Sequence, residues 1–435
     1  MSFTSRYYHA YIFMLGVFFM ISCQNNPKNA DEAGAKSSGK LQEGRWRAVF
    51  QLDEEPEPDP SMRLELPFNF DLSRTDKGGY AMHLVNADER ISTDEINFVS
   101  EDSIIIKMPY FNSEIRAKIN DRRMMGAWYN FDKGADYFLP LYAVFGDSAR
   151  FHVPTTDSII NVAGTWEVTF IADDKSGKTD AIGEFKQKGN QVTGTFITPT
   201  GDYRYLEGIA TDHEVMLSCF DGSHAFLFKA GINDAGDLNG DAWYGKHARE
   251  IWLAYKNDAP TLPMEGQLSE MKTDKFDFAF PDLTGKKVSS SDEQFNNKVV
   301  LVQIMGSWCP NCLDETRLLV ELHNKYHDKG LEIVALAFER SPDMAVSRPI
   351  LERYVRQTGI KYPVLLAGSA DKKAASAALP QLNALKAYPT TLLIDRNKKV
   401  TGIYTGISGP ATSEYKKFVA DFEAAIAQLL QQSES

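Results

Sequence analysis

Two cysteines separated by two residues, Cys309 and Cys312, are the side chains in this sequence best suited to do chemistry. Thiols at this spacing can cycle between a dithiol and a disulfide, or they can supply two ligands to a metal ion. Pro310 is tolerated at the first position of a helix, because the N–H that it lacks would be unpaired there. A helix that begins at this point would stabilise a thiolate through the positive end of its dipole.

The residues around the pair predict the elements that hold it. An apolar run over 299–305 predicts a buried strand that ends just before the cysteines. Leucines at helical spacing predict a helix that continues to about Lys329. Strands and helices alternate over 276–432, including a short helix near 379–386 and a last helix over about 412–431. This order predicts an α/β domain with a mixed sheet.

Three further motifs accompany the cysteine pair: Trp308 directly before it, Glu315 after it, and Tyr388-Pro389-Thr390-Thr391 before a predicted strand. With them, 276–432 resembles the thioredoxin fold and is most similar to the TlpA/ResA-like group of membrane-tethered disulfide reductases. The resemblance implies that the peptide bond before Pro389 is cis and that this proline faces the cysteines. It also implies that Trp308 shields the disulfide. No cofactor or metal is expected.

The two thiols are expected to have different roles. Cys309, at the exposed edge of the helix start, would attack a substrate disulfide and form a mixed disulfide, which Cys312 would resolve. Glu315 shares the helix face of Cys312 and could accept the proton of that buried thiol. The resemblance supports this role, because these reductases carry an acid there. Gln303 replaces the buried acid that is usual in thioredoxins, so Glu315 is expected to have no competitor.

A zinc site is the alternative interpretation, since Cys309, Cys312, His323 and His327 mimic a two-Cys, two-His spacing. In a continuous helix, His323 lies about 16 Å along the axis from Cys312. Zinc–ligand bonds are only about 2.0–2.3 Å long. The two histidines are therefore expected to be solvated, one helical turn apart.

The N-terminal segment indicates the compartment. Arg6 precedes an apolar stretch over 11–21, which is long enough for a signal-peptide core and too short to span a bilayer. It ends in Met20-Ile21-Ser22-Cys23, which resembles a bacterial lipobox. The resemblance implies a signal peptide over 1–22, a lipid anchor on Cys23 and a flexible tether over 23–40. An ordinary secretory signal with a chance cysteine is the alternative. Both predict a location in the cell envelope, on the periplasmic side, where disulfide chemistry is permitted.

The region between tether and α/β domain is strand-like and repeats. Gly44-Arg45-Trp46 matches Gly164-Thr165-Trp166, and Phe111-Asn112 matches Phe220-Asp221, at an offset of about 110 to 120 residues. We predict two all-β copies of about eight strands each, over 41–146 and 162–256, followed by a linker over 257–275. The Gly-x-Trp opening resembles lipocalin-like barrels, and a sandwich is the alternative.

In the second copy, one strand is expected near Tyr203 and another over 215–220. Cys219 lies on the latter, in phase with Val215 and Leu217, so a buried structural cysteine is predicted. The alternative makes it a partner of the active cysteines. An eight-stranded barrel can hold one small ligand or be filled with side chains, and the sequence leaves this open.

The net charge of −12 argues against a nucleic-acid partner. We predict an extracytoplasmic thiol-disulfide oxidoreductase that works as a reductase on protein dithiols and disulfides, with a membrane dithiol as electron donor. Oxidase or isomerase activity stays open. One alternative is a lipoprotein whose barrels bind an apolar ligand, with an accessory redox domain. Another is a peroxiredoxin-like antioxidant protein, against which Met305 counts because that family carries a threonine there.

Overall fold

The computed structural model describes residues 41–53, 63–154 and 158–432. They form two β regions, which correspond to the predicted copies, and a C-terminal α/β domain. The predicted signal peptide, the Cys23 anchor and the tether lie outside the described residues. Within the described ranges, no helix is both long and apolar enough to cross a bilayer.

The first β copy is an open antiparallel sheet. Its nine strands are β1 (Gly44–Gln51), β2 (Glu65–Arg74), β3 (Tyr80–Asn86), β4 (Glu89–Thr93), β5 (Ile96–Ser100), β6 (Ser103–Lys107), β7 (Ser113–Asn120), β8 (Arg123–Asn130) and β9 (Phe138–Phe145). The spatial order is β4-β3-β2-β1-β9-β8-β7-β6-β5, with β4 and β5 at the two ends. In β7 every second side chain is buried, as expected for a strand with one face on a core.

The second β copy is a closed barrel. Its strands are β10 (Gly164–Ala172), β11 (Lys178–Lys188), β12 (Gln191–Thr198), β13 (Gly201–Asp202), β14 (Leu206–Ala210), β15 (Glu214–Phe220), β16 (Ala225–Ile232), β17 (Leu238–Tyr244) and β18 (Arg249–Lys256). Eight of them follow the order β11-β10-β18-β17-β16-β15-β14-β12, and β12 pairs back with β11 to close the barrel. A barrel was expected for both copies, and only the second one closes.

The expected strand near Tyr203 is wrong, because the chain turns there. Tyr203 follows the two-residue strand β13, and Arg204 has a positive φ of 58°. The side chain of Asp202 accepts a hydrogen bond from the Arg204 N–H at 2.6 Å, which stabilises the turn. The barrel strand begins afterwards, at Leu206.

Aromatic side chains fill the barrel interior. The Phe196 ring lies 5.1 Å from Phe170, 4.9 Å from Phe228 and 5.3 Å from Trp252, between ring centroids. Trp166 is fully buried, and its Nε1 donates to the Val162 carbonyl at 2.8 Å. Because an eight-stranded barrel either holds a ligand or is filled with side chains, this packing does not favour the ligand-binding alternative.

The second copy contributes side chains to the hydrophobic core of the first copy. Phe220, Ala225 and Leu227 project from the outside of the barrel into the core of the first copy. Neighbouring side chains on β16, Phe226 and Phe228, belong to the barrel interior instead, because successive residues of a strand point to opposite faces. The outer face of the barrel therefore covers the first copy, which explains why that copy remains an open sheet.

The C-terminal domain has the predicted α/β arrangement. Its elements are β19 (Ala279–Pro281), β20 (Lys287–Ser289), β21 (Val299–Met305), α1 (Pro310–Tyr326), β22 (Leu331–Glu339), α2 (Met344–Thr358), β23 (Val364–Ser369), α3 (Lys372–Ala378), β24 (Thr390–Ile394), β25 (Val400–Thr405) and α4 (Tyr415–Gln431). The main sheet has the order β23-β22-β21-β24-β25. Its central strand β21 is parallel to β22 and antiparallel to β24, so the sheet is mixed, as expected.

Two helices begin elsewhere than predicted. The short helix expected near 379–386 is α3, over Lys372–Ala378. Asp371 starts it by accepting a hydrogen bond from the Ala374 N–H at 2.8 Å. The last helix, α4, begins at Tyr415 instead of near 412. A turn precedes it, in which the Thr412 N–H donates to the Gly409 carbonyl at 3.0 Å.

Candidate active site

The two cysteines sit at the junction of β21 and α1, and both are free thiols. Cys309 is the N-cap of α1, and its Sγ accepts a hydrogen bond from the Cys312 N–H at 3.3 Å. Pro310 occupies the first turn, as the sequence predicts. Cys312 is completely buried, which raises the pKa of its thiol well above the usual range, and a hydrogen bond with Cys309 adds to this. Burial thus disfavours the thiolate form of Cys312.

The expectation that Cys309 lies at an exposed edge is wrong. Only 7% of the residue is accessible to solvent. Its Sγ lies 3.6 Å from the Tyr388 carbonyl, and the second β copy packs against the same end of α1. The sequence of the α/β domain alone gives no sign of the cover by the barrel, because the barrel residues belong to a different part of the chain.

Trp308 and the loop before Pro389 form one side of the site. The Tyr388–Pro389 peptide bond is cis, as the resemblance predicts. The indole of Trp308 meets the Tyr388 ring edge-on at 5.4 Å, and its Nε1 donates to the Phe338 carbonyl at 2.9 Å. These contacts fix the indole beside Cys309.

Glu315 lies in a buried polar group behind Cys312. Gln303 Nε2 donates to Glu315 Oε2 at 2.9 Å and to the Cys312 carbonyl at 3.4 Å. Burial raises the pKa of Glu315 to about 7, although the hydrogen bond from Gln303 favours the carboxylate. Its side chain can therefore exchange a proton near neutral pH, next to the buried thiol.

A second buried carboxyl group, that of Glu339, was not among the site residues predicted from the sequence. It lies at the end of β22 and accepts hydrogen bonds from the Ser307 N–H at 2.9 Å and from the Ser307 Oγ at 2.7 Å. Burial raises its pKa to about 7. Its hydrogen-bond partner is Ser307, whereas Glu315 is a carboxylate that adds to burial in raising the pKa of Cys312, so the expectation that Glu315 has no competitor for this proton stays a prediction. The sequence did carry a signal, namely an acidic residue at the end of a strand. Because β21 and β22 are parallel, their ends meet at the same edge of the sheet.

A buried arginine from the second β copy joins three parts of the molecule. Arg204 donates to the Pro310 carbonyl at 3.0 Å and pairs with Asp314 on α1. It also pairs with Glu89 of the first copy and lies 3.8 Å from Asp221. Burial raises the pKa of Asp314 to about 7, although Arg204 opposes this. We call these residues the Arg204 cluster: Arg204, Glu89, Asp221 and Asp314.

Contacts that involve backbone groups hold the barrel close to the α/β domain. The Asn311 side chain donates to the Asp202 carbonyl at 3.3 Å, and the Gly409 N–H donates to the Asp202 carboxylate at 2.6 Å. Gly406 has a φ of 72°, and a Cβ built on it would lie 2.3 Å from the Thr200 carbonyl oxygen. Only glycine permits so close an approach between the two domains.

A cleft of about 290 Å³ remains between the barrel and the cysteine pair. We call its barrel side the roof: Tyr203, His224, Phe226 and Tyr244. The floor contains Trp308, Cys309, Pro310 and Tyr388. Cys309 lines this cleft, so its sulfur is the one that a molecule in the cleft would meet.

The zinc alternative finds no support at the cysteine pair. His323 and His327 lie near the far end of α1, where their ring centroids are 4.6 Å apart. His323 is buried and not solvated as expected, because it packs against Tyr362. Ligand atoms of His323, His327 and Glu332 lie within 4.8 Å of one another, so this group is where the described residues could hold a metal ion.

Cys219 belongs to the barrel interior, whereas Cys309 and Cys312 belong to the core of the α/β domain. Cys219 is fully buried, which raises the pKa of its thiol well above the usual range. Such a thiol is unreactive, which agrees with the structural reading.

Comparison with known proteins matches the C-terminal region. Residues 270–419 match the family profile described as Redoxin. The thiol-disulfide oxidoreductase ResA of Bacillus thuringiensis subsp. konkukian is 33% identical over 123 residues, which cover 28% of this chain and 62% of that protein. ResA of Bacillus anthracis is 35% identical over 123 residues, with the same coverage. The chain thus spans about 62% of the length of these relatives.

Among solved structures, a thiol-disulfide oxidoreductase from Bacteroides fragilis NCTC 9343 aligns with 34% of this chain and 99% of its own length. Its sequence identity is 21% and its TM-score is 0.26. A thiol:disulfide interchange protein from Chlorobium tepidum TLS aligns with 36% of this chain and 96% of its own, at 23% identity and a TM-score of 0.28.

Proposed function

We propose that this chain, whose residues 270–419 form a ResA-like domain of thioredoxin fold, is an extracytoplasmic thiol-disulfide oxidoreductase that works through Cys309 and Cys312. One observation carries the proposal: two free thiols meet at a helix start, with the Cys312 N–H donating to the Cys309 sulfur. One sulfur lines a cleft, and the other is fully buried behind it. That asymmetry is what sequential attack and resolution require.

The reaction balances as a two-electron exchange. The Cys309 thiolate attacks one sulfur of the substrate disulfide, which breaks the substrate S–S bond and releases one substrate thiolate. Cys312 then loses its proton and attacks Cys309, which releases the second substrate thiolate. The Cys309–Cys312 pair ends as a disulfide, and the two substrate thiolates take up protons as thiols.

Glu315 supports the second step. The Cys312 thiol must lose its proton inside the protein, where burial disfavours the thiolate. Glu315 has a pKa of about 7 and shares with Cys312 the hydrogen bonds of Gln303. A carboxylate with this pKa accepts a proton efficiently near neutral pH.

The proposal includes the direction of electron flow and the anchor. The chain would act as a reductase, and its disulfide would be reduced again by a membrane dithiol. The lipobox-like Met20-Ile21-Ser22-Cys23 supports a lipid anchor at Cys23 on the periplasmic side. The protein substrates are disulfides of other exported proteins.

Insulin reduction by the full chain, with a dithiol as electron source, tests the activity. We expect Cys309→Ser to abolish it. Cys312→Ser should instead accumulate a mixed disulfide with the substrate, visible as an added mass. Cys219→Ala is the control, because this cysteine is buried inside the barrel, and it should retain activity. Activity that survives Cys309→Ser would defeat the proposal.

Glu315→Gln tests the proton acceptor. Gln keeps the shape and hydrogen bonding of the side chain but cannot take a proton. We expect resolution of the mixed disulfide to slow by about 100-fold, which is the lower end of general acid–base contributions. Stopped-flow measurement from pH 5 to 9 should also show that the wild-type inflection near pH 7 disappears. An unchanged pH profile would show that Glu315 has only a structural role.

A further inference from the structure

We propose that the roof selects the substrate of this site: a disulfide on an extended, unfolded polypeptide segment, with an aromatic or large apolar side chain beside its cysteine. The inference rests on the proposed function and narrows it. It concerns residues of the second β copy, which the matched region over 270–419 does not contain.

Access to the attacking sulfur is restricted. Cys309 is 7% exposed and lies on the floor of a cleft of about 290 Å³. Pockets that enclose drug-sized molecules have volumes of about 300–1,000 Å³. A cleft of this size takes a few groups of an extended chain. A folded domain is far larger, so a disulfide on its surface cannot reach the sulfur while the roof is in place.

Buried contacts hold the roof in place. Arg204 joins the barrel to the first copy and to α1 through buried charge pairs with Glu89 and Asp314. Opening the roof breaks both pairs and the hydrogen bond to the Pro310 carbonyl at once. The contact between Gly406 and Thr200 adds close packing. Opening of the roof is therefore an unfavourable route to the sulfur.

The walls of the cleft are largely aromatic. The His224 ring stacks on Phe226 at 4.7 Å, and the Phe226 ring lies 5.5 Å from Tyr244. The floor opposite presents the edge-to-face pair of Trp308 and Tyr388. Aromatic rings attract other aromatic and apolar groups, with about 0.5–1.5 kcal/mol per ring pair beyond simple burial.

The acidic and basic side chains that line the cleft face partners within the protein, and His224 Nδ1 lies 3.5 Å from Asp221 Oδ2. Asp202 accepts from the Gly409 and Arg204 N–H groups, and Arg204 pairs with Asp314 and Glu89. A charged substrate side chain would therefore lose water without gaining a partner, which is unfavourable. The cleft favours an apolar neighbour of the substrate cysteine over a charged one.

A single-turnover experiment with the reduced full chain tests this. Its substrates are symmetric disulfide dimers of short peptides that carry Phe-Cys, Gly-Cys or Asp-Cys, together with a native folded protein that has a surface disulfide. Rates are read by acid quench and mass shift. We expect the Phe-Cys dimer to react at least tenfold faster than the other two, and the folded protein to react more slowly than any peptide.

Variants of the roof complete the test. Tyr244→Ala should bring the Phe-Cys to Gly-Cys rate ratio close to one, and His224→Ala should lower it in the same direction. His224 is partly exposed in a turn, so its variant keeps the test valid if Tyr244→Ala does not fold. Tyr255→Ala is the matched control, because this tyrosine is 52% exposed on the neighbouring strand β18, outside the cleft, and the ratio should persist.

The outcomes separate the two proposals. Equal rates on all three peptides, or rapid reduction of the folded protein, would overturn the role of the roof while the oxidoreductase activity stands. A ratio that persists in both roof variants would also overturn it. Failure to reduce any of these disulfides would remove the proposed function itself.

Discussion

Each β copy has a phenylalanine at the equivalent position, and the two side chains pack against different parts of the molecule. In the first copy, Phe111 packs into the core of the α/β domain. In the second copy, the matching Phe220 packs into the core of the first copy, where it meets Phe50, Phe68 and Trp128 at ring distances of 4.8, 4.7 and 5.1 Å. The same turn therefore serves two different contacts.

The residues after each phenylalanine differ accordingly. After Phe220, Asp221 joins the Arg204 cluster, and Ser223 Oγ donates to the Trp308 carbonyl at 3.0 Å, next to Cys309. The turn of the first copy instead contacts α2, where Arg353 donates to the Phe111 carbonyl at 3.0 Å. The difference teaches that a duplicated unit acquires its role from its neighbour. One copy contacts α2 of the α/β domain, and the other reaches the cysteine pair.

The largest effect is expected in the core of the first copy, where Phe220 of the second copy packs. Phe220→Ala removes a fully buried ring, so we expect the free energy of unfolding to fall by about 3–5 kcal/mol. Urea denaturation measures this. Phe111→Ala is the matched variant, and its loss should be smaller, because the aromatic contact of Phe111 is with Tyr110 alone among the described rings, at 6.4 Å. A larger loss for Phe111→Ala would reverse the comparison.

Each β copy forms a junction with the α/β domain, and the two junctions also differ in their arginines. Arg204→Met leaves three buried carboxylates without their cation, so we expect a loss of about 3 kcal/mol in the free energy of unfolding. Arg353→Met is the counterpart in the first junction, where the partner Glu95 is partly exposed. Its charge pair should contribute about 1 kcal/mol or less. Equal losses in urea would mean that burial does not distinguish the two junctions.

The smallest effect is expected at the junction between the barrel and α1, where the free energy of unfolding should depend on pH. The folded-state pKa of Asp314 is about 7, above its ordinary value of 3.8. Between these values the folded chain holds a proton that the unfolded chain has released. Stability from this group is therefore present at low pH and is lost as pH rises toward 7.

Between pH 5 and 7, the free energy of unfolding of the wild type should fall as pH rises. Asp314→Asn should reduce this slope by about 1 kcal/mol per pH unit or less, since one proton contributes at most about 1.4 kcal/mol per unit. Urea denaturation at several pH values checks this. Glu95→Gln, at the other junction, serves as the control. A slope that Asp314→Asn does not change would show that this carboxyl does not titrate in that range.

Local sequence signals predicted the cysteine-bearing strand and helix, and they named residues that the structure does bring together. Cys309, Cys312, Trp308 and Glu315 lie within seven positions, so one strand and one helix determine their placement. The thioredoxin-fold resemblance, which the Redoxin match confirms, supplied Pro389 from further along the chain. The general class of the β region was also predictable, because strand alternation and the Gly-x-Trp repeat are local.

The cover of the cysteine pair by the barrel was not predictable in this way. Arg204 contacts Glu89 and Asp314, which are 115 and 110 positions away. Such contacts depend on how domains dock, and no local pattern encodes this. One signal was overlooked: Ala225-Phe226-Leu227-Phe228 is a continuous apolar run. A strand without alternation is buried on both faces, so it indicated that the outside of the barrel is also covered.

Gly406 offers a way to recognise this architecture among sequences. A positive φ by itself would tolerate asparagine in many turns. Here any β-carbon would collide with the backbone of Thr200, a residue from another domain. In homologues that lack the barrel, the position is free to vary among residues that suit the turn. Strict glycine there should therefore coincide, across genomes, with the presence of the preceding β repeats.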